Sequence, residues 1–521
     1  MKNSLVILFV LFIGEIFSQS TYLVEFQDKI GNGFDPYQYF SSEAIQAKKD
    51  MGLPMYDWYD LPVNSEYVDI ISPFVDIVGY NLRWFNGVVV IGSSEQLLRV
   101  QQLPFVKSVF QFNSEIIPAN SGEYTDLVKA DFKVFDWQLK TMGGRMFADK
   151  GLKGKGIRIA VVDVGFGGAD EMDQLKYITD TSLVTSWDFA LDAPLSFKRG
   201  HQHGAQVTSF IGGVIEKHSV GFATEAEFLF AKISAPLIKD EKIEQAWLKA
   251  VEWAHKNGAR IVNSSIAYNN GDHNKEMLTG DSCLMSRAAN LAARKGMLIV
   301  NSAGNEGDNS WKYLAFPGDA DSVLTVGAVS SDLGIRASYS SYGPNKSLKL
   351  KPNVCALGDV FWLQYKSLTK LQGTSFSSPL VAGFAACILQ NNPFLKPMDL
   401  IDTIEKSSSL YPYFDYSHGY GIPQATIYFG VDSVKSDCVS VVIKKSPSYL
   451  TEKYYYFEYR SHYGSQIFYH IENKEGYLKE YNVVKFSRKE DSPKIHFEEH
   501  ENGDILRVFH RGNVFEEKIK K

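Results

Sequence analysis

Residues 373–389 read Gly373-Thr374-Ser375-Phe376-Ser377-Ser378-Pro379-Leu380-Val381-Ala382-Gly383-Phe384-Ala385-Ala386-Cys387-Ile388-Leu389. Pro379 is tolerated in a helix's first turn, so the stretch predicts a helix that opens just before it. From Val381 to Leu389 no charged or hydroxyl side chain interrupts the run, which marks the buried central helix of a domain. Ser375 then stands at the N-terminus of that helix, among backbone N–H donors and the positive dipole end. Taken alone, it is also what an ordinary N-cap serine looks like.

Around this helix the chain alternates strand and helix signals. Ile157 to Val162, Phe228 to Ile233, Ile261 to Ser265, Met297 to Asn301 and Val323 to Val329 are short, mostly apolar runs. Strands buried on both faces of a parallel sheet read this way. Between them lie amphipathic helices, the clearest with Ile243, Ala246, Trp247, Ala250, Val251 and Ala254 on one face and Gly258 as its stop. The fold class is therefore α/β, a doubly wound parallel sheet, over residues 134–430.

Working outward, residues 20–115 read as a smaller α+β unit. Tyr22 to Phe26 is strand-like, Ser41 to Met51 is helical in composition, and Asn86-Gly87 marks a turn between two strands. Ser93 and Gln96 form a capping box before a helix, and Val106 to Phe112 alternates again. The order matches a ferredoxin-like split βαβ. Residues 113–133 read as a polar linker. At the other end, residues 433–521 carry eight Tyr between Tyr454 and Tyr481 in alternating stretches, which predicts a separate small all-β domain. At the start, Lys2, the apolar run Leu5 to Ile13 and the small Ser18 have the layout of a secretory signal peptide over residues 1–18.

Composition excludes other classes. Of 521 residues, 45% are hydrophobic and 22% charged, as in folded soluble domains, so disorder and coiled coil are excluded as the main architecture. With 54 Lys+Arg against 60 Asp+Glu the net charge is −6, and no basic footprint for nucleic acid appears. No later run is long enough for a transmembrane helix. Four cysteines, Cys283, Cys355, Cys387 and Cys438, make no disulfide scaffold, leave three pairings open, and lack the CxxC spacing of a zinc site.

In an open α/β sheet, chemistry gathers at the carboxyl ends of strands. The first strand ends in Asp163, which alone is more simply a turn residue. His203 opens an apolar, glycine-closed stretch at Gly200-His201-Gln202-His203-Gly204-Ala205-Gln206-Val207, with His201 as competitor and a solvated loop histidine as the plain alternative. Asn305 follows a strand within Asn301-Ser302-Ala303-Gly304-Asn305-Glu306-Gly307, among small residues that leave room for a ligand. Ser375 completes the set, and the G-x-S-x-G elbow of lipases appears nowhere.

Together, Asp163, His203, Asn305 and Ser375, in that order, resemble the subtilisin-like serine proteases (subtilases), whose chain order is Asp…His…Ser. The resemblance runs from about Leu152 to Ala425, and GTSFSSPLVAG is its strongest segment. It implies a secreted serine endopeptidase acting on protein or peptide substrates. Asp163, His203 and Ser375 would be its triad and Asn305 its oxyanion donor. It implies that Ser265-Ile266-Ala267 and Ser302-Ala303-Gly304 hold an extended peptide by strand addition. It also makes residues 19–120 a chaperone-like propeptide that inhibits its own enzyme. No cofactor is needed for the chemistry and no metal ligand is assigned. Structural calcium, which many subtilases carry, has no readable carboxylate loop. A monomer is expected, exported and either secreted or held at the cell surface. The C-terminal domain loosely resembles sorting domains of secreted proteins, the alternative being an accessory β module. Three departures stand out: Val164 after the acid, Ala205-Gln206 in the histidine motif, and Ala267 where the family often has glycine. The first two motivate the alternative of a catalytically silent binding protein on this fold, and Ala267 bears on the shape of the primary specificity pocket.

Overall fold

The computed structural model describes residues 19–31, 33–112, 116–117, 126–127, 132–181, 184–198, 200–235, 240–268, 275–330, 334–364, 367–431, 442–445, 454–458, 466–485, 494–496, 500–510 and 513–520. The signal-peptide reading of residues 1–18 and Cys438 lie outside them. Two compact units result. One holds residues up to 34 and 56–113, the other residues 35–55 and 114–521.

The smaller unit is a four-stranded antiparallel sheet of β1 (Ser20–Phe26), β2 (Ile77–Leu82), β3 (Gly87–Gly92) and β4 (Val106–Gln111), in the order β2-β3-β1-β4. That is the split βαβ order expected. Asn86 takes φ +49° ahead of β3, a conformation asparagine tolerates. Its buried amide donates to Phe26 O at 2.9 Å and Asp28 O at 2.8 Å. The capping box of Ser93 and Gln96 is present.

One expectation changes. Helix α1 (Ser42–Asp50) forms with Ser41 as its N-cap, but it belongs to the larger unit. The helix that packs on the sheet after β1 is α2 (Ser65–Ile71), through Ile71; after β3 it is α3 (Ser94–Gln101), through Leu97 and Val100. Composition identified α1 as a helix, but packing partners are set by distant residues that composition does not reveal.

The larger unit is built on seven parallel strands: β5 (Arg158–Asp163), β6 (Val184–Asp188), β7 (Glu227–Lys232), β8 (Ile261–Ser264), β9 (Leu298–Ser302), β10 (Val323–Val329) and β11 (Val354–Leu357). Their order is β11-β10-β9-β8-β5-β7-β6. β8, β9, β10 and β11 are buried along their whole length, the consequence of helices on both faces. Helices α4 (His203–Gly212), α5 (Asp240–Lys256), α6 (Leu284–Arg294) and α7 (Thr374–Asn391) supply the layers. All residues of α7 from Thr374 to Leu389 are buried, with Pro379 inside its first two turns. Each of its large side chains, Phe376, Leu380, Phe384 and Ile388, contributes roughly 1.5–3 kcal/mol by leaving water.

The C-terminal strands β12 (Gln466–Glu472), β13 (Leu478–Lys485), β14 (Ile505–His510) and β15 (Asn513–Lys518) form an antiparallel sheet in the order β13-β12-β14-β15. It shares a buried cluster with the 410–413 segment through Leu410, Tyr413 and Phe509. Cys283, Cys355 and Cys387 are buried free thiols. Among the described residues, no helix is long and apolar enough to cross a membrane.

Candidate active site

Asp163 ends β5 and is fully buried. One carboxylate oxygen accepts the Val164 N–H at 2.7 Å, and the two lie 2.8 and 3.0 Å from His203 Nδ1. A buried carboxylate at that distance fixes the proton on Nδ1 and leaves Nε2 as the acceptor nitrogen. His203 is the first residue of α4 and is buried, whereas His201 is exposed, with its ring 6.4 Å from that of His203. Gly204 is what allows this approach. A Cβ there would lie 2.7 Å from Gly165 O and 2.9 Å from Asp163 Cβ. His203 Nε2 is buried and has no hydrogen-bond partner among the described residues.

Ser375 is the second residue of α7, so its N–H is one of the four without a partner inside the helix. Its hydroxyl donates to Ser265 O at 3.3 Å. The Ser265 hydroxyl in turn donates to Ser375 O at 3.0 Å, and Asn263 Nδ2 donates to Ser265 Oγ at 3.0 Å. Two segments from far apart in sequence are thereby locked side by side. Asn305 sits beside them on the loop after β9. Its Oδ1 accepts from Thr374 N at 2.9 Å and from Thr374 Oγ1 at 2.8 Å. Both donors turn the amide the same way, so Asn305 Nδ2 is buried and has no hydrogen-bond partner among the described residues. Thr374 stood in the sequence motif without a role, and its position directly before Ser375 was the available signal.

Among the strand-forming segments, Ser265 and Ile266 are buried at the end of β8. Ala267 and Tyr268 pair antiparallel with Ile117 and Ile116. Ser302 and Ala303 are buried, and Gly304 takes φ +111°. Gly304 N donates to Thr374 Oγ1 at 3.3 Å. Next to Asn305, burial and then the charge of Asp308 push the Glu306 carboxyl above its usual range. Among the described residues, no cluster of three or more His, Cys, Asp or Glu side chains is placed to hold a metal ion.

The His203 ring lies 5.7 Å from that of Phe376, the residue after Ser375, so the buried Asp–His pair borders the helix start that Thr374 ties to Asn305. The subtilase family model matches residues 154–421. The chain belongs to the subtilase family. A second model, the peptidase S8 propeptide domain of Bacteroidota, matches residues 21–125. This subtilase is 28% identical over 264 residues to subtilisin DY from Bacillus licheniformis, covering 50% of this chain and 86% of that one. It is 27% identical over 258 residues to subtilisin Savinase from Lederbergia lenta, covering 49% and 85%. Its fold is like that of fervidolysin from Fervidobacterium pennivorans, a keratinolytic enzyme related to subtilisin. There the TM-score is 0.58 at 14% identity, over 96% of this chain and 90% of that one. The epidermin leader peptide processing serine protease from Staphylococcus aureus gives a TM-score of 0.56 at 15% identity, over 80% and 99%. The protein is a subtilisin-family serine protease, a hydrolase of peptide bonds, preceded by a propeptide.

Proposed function

We propose that this subtilase is an exported endopeptidase, made as a latent precursor, in which Asp163, His203 and Ser375 form the triad. The observation that carries this reading is the buried Asp163–His203 pair, whose free Nε2 faces no competing partner among the described residues. A serine hydroxyl is a weak nucleophile at neutral pH and needs such a base. In the reactive state the Ser375 hydroxyl would exchange its bond to Ser265 O for one to Nε2. Ser375 Oγ attacks the scissile carbonyl carbon while His203 takes its proton, and Asp163 stabilises the resulting imidazolium. The carbonyl oxygen becomes an oxyanion that accepts from Asn305 Nδ2 and Ser375 N–H. The C–N bond then breaks, and His203 returns the proton to the leaving amine. Water, activated the same way, releases the acyl group from Ser375.

Substrate would lie extended along Ser265-Ile266-Ala267 and Ser302-Ala303-Gly304. The strand pairing of Ala267 and Tyr268 with Ile117 and Ile116 supports that use of the first segment. The same pairing supports residues 19–120 as an intramolecular inhibitor, following a signal peptide at 1–18 and preceding a peptidase domain at 134–430. Residues 433–521 make the C-terminal β module. The enzyme acts as a monomer on protein or peptide substrates, secreted or surface-held.

A fluorophosphonate probe and casein digestion test the reading together, with Ser375→Ala as control. Labelling that vanishes in Ser375→Ala, together with casein cleavage, is expected. Absence of labelling in the matured wild type means a silent binding protein. Labelling with turnover of esters alone means a different hydrolase.

A further inference from the structure

The loop carrying Asn305 is tied at three backbone points to the segment 337–341. Ser341 N donates to Gly304 O at 2.9 Å, Glu306 N to Ser341 Oγ at 3.1 Å, and Gly307 N to Tyr339 O at 2.7 Å. That segment is itself curled around one guanidinium. Arg336 Nη1 donates to Ala337 O at 3.3 Å, to Ser338 O at 3.0 Å and to Ser340 O. Gly307 has no room for a Cβ, which would meet Ser340 O and Arg336 Nη1.

The other edge of the guanidinium belongs to the C-terminal sheet. Arg336 Nε donates to the Tyr481 hydroxyl on β13 at 3.1 Å. The guanidinium carbon lies 4.9 Å from the Tyr342 ring centre and 5.2 Å from that of Tyr481. The Arg336 backbone N–H donates to His418 Nε2 at 2.9 Å, and Asp415 holds the opposite nitrogen at 3.0 Å. The sheet is fixed in turn by Tyr413 Oη at 2.7 Å from His470 Nδ1 on β12. A planar fork with five fixed donors suits such a junction, because it can bond converging carbonyls and stack on rings at once.

We propose that Arg336 is a positioning residue for the oxyanion loop and that the C-terminal sheet, through Tyr481, is a working part of the protease. This rests on the reading of Asn305 as the oxyanion donor. The chain of contacts runs from Tyr481 through Arg336 and the 337–341 backbone to Gly304, Glu306 and Gly307, which bracket Asn305. Loosening it displaces the Asn305 amide relative to the Ser375 N–H, and a donor misplaced by a fraction of an ångström acts on the transition state more than on bound substrate.

A double-mutant cycle tests this. Precursors carrying Arg336→Lys or Tyr481→Phe, each with and without Asn305→Leu, are matured by immobilised wild-type enzyme and assayed on one peptide. Arg336→Lys is expected to lower kcat roughly fivefold or more with KM within about twofold, and Tyr481→Phe to act in the same direction more weakly. In the Asn305→Leu background neither should lower kcat further, since a residue acting only through Asn305 has nothing left to position. Equal fold losses in both backgrounds, an effect on KM alone, or wild-type kcat in Arg336→Lys beside a slow Asn305→Leu would overturn the positioning role. Wild-type kcat in Asn305→Leu would overturn the oxyanion reading and the positioning role with it. Should Arg336→Lys not fold, Tyr481→Phe, which keeps the guanidinium and removes a single oxygen, decides the matter.

Discussion

His203 and His201 are two residues apart, yet only His203 is buried against a carboxylate. His203→Ala should therefore abolish peptide hydrolysis as fully as Ser375→Ala, because triad members act as a unit. His201→Ala should keep most activity, and the reverse pattern in a peptide assay would reassign the base. Asn305 makes the sharper case. Both Thr374 donors hold its carbonyl oxygen, and its Nδ2 has no partner among the described residues. Asn305→Leu keeps the volume and removes the donor. It should lower kcat by roughly 10²–10³ with little change in KM, a magnitude taken from a subtilisin's own oxyanion-hole asparagine. A pure KM effect would place Asn305 in ground-state binding instead.

Among the elements, the junction of β10 and β11 holds a charge with an unusual cost. Lys351 is buried just before β11, and its ammonium donates to Val323 O and, at 3.0 Å, to Asn353 Oδ1. Burial pulls its pKa down to about 8, with Glu405 and Asp319 opposing. Below that pH both folded and unfolded chains hold the proton, and the folded state carries the desolvation cost. Between about pH 8 and the ordinary lysine value near 10.4 the unfolded chain binds more protons than the folded one. This residue's contribution to stability therefore rises with pH across that window, by at most about 3 kcal/mol. Urea unfolding in a Ser375→Ala background, where self-digestion is absent, should show this rise between pH 7.5 and 10. Lys351→Met should flatten it, and parallel pH profiles for the two would refute the assignment. Helix α1 shows a different elemental effect: its N-cap N–H at Ser41 donates to Lys256 O at the end of α5, and Glu43 pairs with Arg158 at 3.2 Å. A segment within the propeptide match is thus joined to the larger unit.

For the whole molecule, two short strand pairs within the 113–133 linker bear on the order of maturation. Ile116–Ile117 lies on Ala267–Tyr268, and Asp126–Leu127 pairs with Leu368 and Thr369, just ahead of Ser375. The bond to be cut on activation is expected between Ile117 and Asp126. The first strand pair would leave with the propeptide, and the second would stay. At the chain's own average of about 112 Da per residue (58.5 kDa over 521), loss of residues 19–120 removes roughly 11 kDa beyond the proposed signal peptide. Mass spectrometry of the matured wild type should show that loss, and Ser375→Ala should retain the segment. An active wild type that keeps residues 20–115 would make the unit a permanent accessory domain.

Much of this was legible in sequence, because it is written in local patterns. Apolar runs of strand length specify buried parallel strands. A helix without polar residues must be central. Asp163 and Asn305 follow such runs, where the carboxyl ends of parallel strands share one edge, and Ser375 opens the central helix. The Ser93–Gln96 capping box and the Asn86 turn were readable for the same reason, each being complete within a few residues. What only tertiary structure decided depends on partners distant in sequence. The resemblance singled out His203, but its burial against Asp163 beside an exposed His201 is a tertiary fact, and the orientation of the Asn305 amide needed Thr374. The docking of α1 needed the ends of α5 and β5. The stitching of the C-terminal sheet to the Asn305 loop needed Arg336 between Tyr481 and the 337–341 carbonyls. Such contacts leave no periodicity along the chain, since hydrogen bonds and stacking across tens or hundreds of residues constrain single positions and not patterns.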